Sequence, residues 1–188
     1  MKLCVMVVLL VALAVPASAA LVWDEAVNGD LSTNPAAPTP LAFAINGNTV
    51  IGTLSSASAV DRDYITFTVP VGEMLTGITL LAFSPNNIAF SSLNVGPTSL
   101  VPSAATDPFF MSGIHITAAD IGFNLMTFFD TRNVTSNSLP GPQLGAGTYC
   151  FLIQQTNPIT QPYSLNFILT APVATDNTTW GAVKALYR

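Results

Sequence analysis

From Asp63 to Val69 the chain alternates, with Ile65, Phe67 and Val69 on one face and Tyr64, Thr66 and Thr68 on the other. A period of two filled with β-branched and aromatic side chains predicts a half-buried strand. Tyr163, Leu165, Phe167 and Leu169 repeat the pattern against Ser164, Asn166 and Thr170. Further strands are predicted at Leu75–Phe83, Asn87–Val95 and Gly147–Thr156, the last joined to Gln161–Thr170 across Asn157-Pro158. Leu41, Phe43 and Ile45 also alternate and lead into Asn46-Gly47 and then Thr49–Leu54. Asn-Gly tolerates the positive φ angles of a type I′ turn, so a hairpin is predicted there.

The stretch from Leu100 to Asn137 is less regular, interrupted by Pro102 and Pro108, and reads as a long, partly packed connection with one or two short strands. Within it, Thr117 followed by Asp120 resembles a capping box able to open one turn of helix. Sustained helical periodicity is otherwise absent. Many short strands separated by Gly, Pro and Asn turns predict an all-β domain, an antiparallel β-sandwich of jelly-roll-like form, over residues 20–170. The Cys…Trp…Cys signature of immunoglobulin domains is missing. Beyond Thr170, residues 171–179 are linker-like. Trp180, Val183 and Tyr187 then recur at spacings of three and four beside Lys184 and Arg188. As a helix, Trp180 to Arg188 forms a short amphipathic tail, either a frayed terminus or small docking element, or a tag read by sorting machinery.

The N-terminus has a different pattern. Lys2 precedes an unbroken apolar run from Leu3 to Val15, and Ala17 and Ala19 form the small-residue pattern of a signal-peptide cleavage site. Thirteen helical residues reach only about 20 Å, short of the hydrocarbon core of a bilayer. Residues 1–19 are therefore expected to be a signal peptide. The mature chain is expected to be secreted, or at the cell surface or in the periplasm, with no transmembrane segment. Only 8% of the 188 residues are charged, and five basic residues face ten acidic ones. Nucleic-acid binding needs a dense basic footprint, and disorder needs high charge with few apolar residues, so both are excluded.

Little chemistry is on offer. Cleavage removes Cys4, so Cys150 has no partner within the chain and reads as a small buried strand residue rather than a nucleophile served by His115. His115 lies between Ile114 and Ile116, and no Gly-x-Ser-x-Gly elbow accompanies it. The acids are more suggestive, because Asp24, Glu25, Asp30, Asp61 and Asp63 are half of the total and fall early in the chain. Ca²⁺ takes six to eight oxygen ligands, often from loops, and jelly rolls can tie an N-terminal loop to a neighbouring strand through such an ion. One structural Ca²⁺ is expected on Asp30 and the Asp61/Asp63 pair. Trp23 and Trp180, both near the termini, give no evident platform for a sugar.

Asp61-Arg62-Asp63-Tyr64-Ile65-Thr66-Phe67-Thr68-Val69-Pro70-Val71-Gly72, with the strand at Leu75 that follows, resembles the pre-peptidase C-terminal type of bacterial secreted β-sandwich. Gly147–Ile153 and Tyr163–Phe167 are similar to that family's closing strand pair. Trp23-Asp24-Glu25 and Gly29-Asp30-Leu31-Ser32 are similar to openings of related exported proteins, some of which carry sorting tails. The likeness spans roughly residues 23 to 170. It implies a jelly-roll-like sandwich that accompanies secreted enzymes or surface proteins without being catalytic. This chain departs from the pattern in its long irregular middle, and its 188 residues hold no protease domain beside the sandwich. The function expected is a non-enzymatic structural, adhesion or interaction module whose partner is an extracellular protein or polysaccharide. A carbohydrate-binding domain and a secreted hydrolase are the alternatives.

Overall fold

The computed structural model describes residues 19–55, 60–85, 88–100, 107–135, 137–155 and 159–171. The expected signal peptide and the tail from Trp180 to Arg188 lie outside them. In chain order the elements are β1 (Ala20–Asp24), α1 (Glu25–Asn28), β2 (Thr39–Pro40), β3 (Asn46–Leu54), β4 (Arg62–Val69), β5 (Met74–Phe83), β6 (Ala89–Val95), β7 (Phe110–Ile116), a 3₁₀ turn (Ala118–Asp120), α2 (Leu125–Thr131), β8 (Gly147–Gln154) and β9 (Gln161–Thr170). One sheet has the order β1-β3-β9-β5 and the other β2-β4-β8-β6-β7. The alternation foreseen in β4 and β9 decides what lies between them. Ile65, Phe67 and Val69 from β4, and Tyr163, Leu165, Phe167 and Leu169 from β9, are all buried in one core. Phe167 packs at its centre, 4.7 Å from Phe43, 5.4 Å from Phe151 and 5.6 Å from Phe67 between ring centroids.

The chain winds between the sheets: β3, β5 and β9 lie in one, β4, β6, β7 and β8 in the other. That is the jelly-roll course, except that the strand expected beyond β5 is reduced to isolated bridges at Asn124 and Leu144. Asn124 makes that substitution work, because its side chain accepts from Ile78 N at 3.1 Å and donates to Thr76 O at 2.9 Å.

Three features differ from the sequence expectation. First, the sandwich is not wholly antiparallel, since β1 pairs parallel with β3 and β2 parallel with β4. Both are short edge strands reached through long connections rather than tight turns, and such connections permit parallel pairing. Second, Asn46-Gly47 is no hairpin turn. Asn46 does take a positive φ of 85°, but it starts β3 as a corner, and residues 41–45 cross between the sheets. Asn48 fixes this crossing by accepting from Ala44 N and donating to Ala44 O, both at 2.8 Å. Third, the irregular middle contains α2, whose Leu125, Met126 and Phe129 are buried. Seven residues are too few to show a helical period in sequence.

The capping box is formed. Asp120 accepts from Thr117 N at 2.8 Å while Thr117 Oγ1 accepts from Ala119 N at 3.3 Å. Arg132 closes the turn, pairing with Asp120 at 2.8 Å and lying 4.0 Å over the Phe128 ring. Burial alone would raise the Asp120 carboxyl, but hydrogen bonds from Arg132 and Thr117 together hold it below its ordinary value. Among the described residues no helix is long and apolar enough to cross a membrane.

Candidate metal centre

The site begins with a polar residue where the pattern calls for an apolar one. Asp63 shares the inward face of β4 with Ile65 and Phe67 and is fully buried. Its Oδ2 accepts a 2.7 Å hydrogen bond from the Tyr163 hydroxyl, reaching across from β9 in the opposite sheet. Its Oδ1 is buried without a hydrogen-bond partner. Tyr163 lies over Gly52, its register partner on β3, and a methyl group at Gly52 would overlap the phenol ring. The glycine is therefore what lets the tyrosine reach the aspartate.

The N-terminal segment brings the other carboxylates. Asp24 ends β1 and caps α1, accepting from Ala26 N at 3.0 Å, while Asn28 Oδ1 accepts from Asp24 N at 3.0 Å. Trp23 Nε1 donates to Gly29 O at 3.1 Å, folding the segment back on itself. This knot aims Glu25 along the edge of β3 just beyond the point where β1 stops pairing. Glu25 Oε2 accepts from Thr53 N at 2.6 Å and Oε1 from Leu31 N at 3.1 Å. One carboxylate oxygen each from Glu25, Asp30 and Asp63 then lies within 4.8 Å of the others. Asp61 stands beside them, its Oδ2 accepting from Ser55 N at 2.9 Å.

Oxygens sharing one Ca²⁺ at about 2.3–2.6 Å are at most roughly 5 Å apart, so the spacing admits such an ion. An all-carboxylate donor set suits a hard divalent cation, not zinc or copper. The electrostatics point the same way. Burial, reinforced by Glu25, Asp61 and Asp30, pushes the Asp63 carboxyl well above its ordinary value. Burial also raises Asp61 and lifts Glu25 to about 7. Burial is the largest cause at all three carboxyls, and the neighbouring acids add to it, so an ionised oxygen here lacks compensation.

This has a consequence opposite to ordinary acid denaturation. Between about 4.5 and about 7 the folded Glu25 keeps a proton that the unfolded chain has released. Stability of the metal-free protein is therefore greatest below that window and falls as pH rises through it. After discounting for solvent screening of a half-exposed group, the loss is on the order of 1–2 kcal/mol. Calorimetry in EDTA from pH 4.5 to 8 should show the melting temperature falling; a rise across that range would refute the assignment.

The structure thus brings Asp30 and Asp63 together, as the sequence suggested, but the third carboxylate in the cluster is Glu25. Asp61 contributes charge from one step away. Sequence placed Glu25 among the early acids and had no means of preferring it, because only the fold of β1 and α1 turns it towards β3. His115 does not join Asp63. Asp63, Ile153, Ser91 and Ile114 form one row across β4, β8, β6 and β7. His115 is therefore about 14 Å away by strand spacing, and it is exposed while Asp63 faces the core. Cys150 is buried, and burial pushes its thiol up to about 12. Trp23 is half-buried and occupied by Gly29; Trp180 lies outside the described residues.

No protein-family model matches the chain, and no curated protein matches it. Among solved structures it is similar to PliG of Salmonella Typhimurium, a periplasmic lysozyme inhibitor of g-type lysozyme. The identity is 15% and the TM-score 0.36, covering 70% of this chain and 98% of that one. A likeness at that level carries no inference about this chain.

Proposed function

We propose that this chain is an exported, non-enzymatic β-sandwich module of the pre-peptidase C-terminal type. On this reading it acts by binding an extracellular protein or polysaccharide, and one structural Ca²⁺ holds it together. The observation that carries the ion is the meeting of Glu25, Asp30 and Asp63 within 4.8 Å, with a carboxylate oxygen of Asp63 buried and unpartnered. A buried carboxylate of this kind is costly unless paired with a cation. The non-enzymatic part of the reading rests on what a substrate can reach. Asp63 is closed to solvent, His115 lies on the outer face with its ring edge-on to Phe90, and burial raises the Cys150 thiol to about 12. The signal-like residues 1–19 support export, and Trp180 to Arg188 is proposed as a tail read by sorting machinery.

The test is a melting curve with EDTA and with calcium in excess. Calcium at about a hundred times its Kd stabilises a folded state by about 2.7 kcal/mol, which for a domain of this size is roughly 5–10 °C in Tm. Superimposed curves would remove the ion. Pull-downs from extracellular fluid and migration in polysaccharide gels, both with calcium present, separate a protein partner from a sugar.

A further inference from the structure

The three clustered acids and the neighbouring Asp61 come from two pieces of the chain. Glu25 and Asp30 ride on the N-terminal segment, whereas Asp61 and Asp63 lead into β4 in the body of the sandwich. The part of their repulsion that runs between Glu25/Asp30 and Asp61/Asp63 therefore acts across the contact that seats residues 20–31. Hydrogen bonds offset it in part, but no ion pair among the described residues does. The Arg62 guanidinium is turned to Gln154, its Nε donating to Oε1 at 2.9 Å, and the Arg132–Asp120 pair sits beyond β7.

Other forces on the segment are modest. Val22 and Trp23 pack against the core while staying partly exposed, no residue of β1 or α1 is fully buried, Leu21 and Val27 are well exposed, and the parallel ladder to β3 is broken by an irregularity between Leu21 and Trp23. Among the described residues, the first with a fully buried side chain is Leu31. From there onward the ladders β3–β9, β9–β5 and β4–β8 close without any help from residues 20–30. Few apolar contacts and an exposed edge mark a unit that opens independently of the core.

Granting the calcium site proposed above, on which this rests, we infer that the ion acts as a latch for the N-terminal segment rather than as a general stabiliser. Calcium turns the repulsion between Glu25/Asp30 and Asp63 into a bridge, so β1 and α1 seat when calcium is present and lift off when it is absent. Extracellular calcium modules bind with Kd of roughly 10⁻⁴–10⁻³ M. A site in that range is empty at the low free calcium inside a cell and filled outside it. The segment that follows the expected cleavage point, Ala19-Ala20, is then held loose before export and locked after it.

Hydrogen exchange on the purified exported chain tests the latch, with equilibrium dialysis of radioactive calcium as a separate measure of occupancy. Calcium at about a hundred times Kd should slow exchange of residues 20–31 on the order of 100-fold. Amides of β4, β8 and β9 should change little. Stoichiometric calcium binding without slowing at residues 20–31, or with equal slowing everywhere, overturns the latch and leaves the ion site intact. Absence of binding in dialysis removes the ion site and the latch together. Asp30→Asn, at an exposed position that leaves the core untouched, should need about tenfold more calcium to protect the segment. Unchanged protection at the wild-type calcium concentration would overturn the latch.

Discussion

Asp63→Asn should make the protein more stable in EDTA at pH 8, by about 2 kcal/mol, and should abolish its stabilisation by calcium. The sign follows from the burial of a full charge. Asp63 is inaccessible to solvent, accepts one hydrogen bond from Tyr163, and leaves its second oxygen unpartnered. Glu25, Asp61 and Asp30 all oppose its ionisation. Asparagine keeps an oxygen for the Tyr163 hydroxyl and removes the charge, and replacing costly buried charges by neutral groups gains about 1–4 kcal/mol in favourable cases. In calcium the order narrows or reverses, because only the wild type gains the binding energy. Paired melts of the two proteins, with and without calcium, measure all four corners of the cycle. A variant less stable than wild type in EDTA would show that the Asp63 charge is already compensated, and the metal reading would fail with it.

Phe167→Ala should cost about 3–5 kcal/mol, the range for truncating a large buried aromatic. Its ring touches Phe43, Phe67 and Phe151, so it joins both sheets to the crossing segment at residues 41–45. Some relaxation of Phe43 into the gap would place the loss at the lower end. Phe167 is four residues from Tyr163 along β9, about 13 Å by strand rise. The calcium-induced rise in Tm should therefore survive while the baseline Tm falls by roughly 6–20 °C. Chemical denaturation of wild type and variant with calcium and with EDTA checks both parts. A loss below about 1 kcal/mol would mean that the aromatic core is not the keystone its contacts imply.

The two expectations divide the molecule into a hydrophobic end and a charged end. The hydrophobic end was legible because its signal is local. Alternation in residues 63–69 and 163–169 assigns each side chain to a face without reference to anything distant, and Pro and Gly mark the breaks. The capping box was legible for the same reason, since Thr117 and Asp120 are three residues apart. Asn46-Gly47 misled because a positive φ serves a corner as well as a hairpin, and the partner of β3 is β9, more than a hundred residues away. The short helix α2 was missed because it is held by Asn124 on β5 and by its buried face, not by a period long enough to read.

The charged end was half legible. Sequence determined an all-β chain with little charge and with acids gathered ahead of and at the start of β4. Which acids meet was a tertiary decision. Asp63 faces inward because β4 has a fixed two-residue period. Glu25 joins it because Asp24, Asn28 and Trp23 fold the N-terminal segment back onto the edge of β3. The distance between those carboxylates depends on a parallel edge pairing and on the room that Gly52 leaves for Tyr163, and neither has a one-dimensional signature. Composition sets how much charge a chain carries; only the packing of two sheets decides which of those charges must share a space too small to ionise freely.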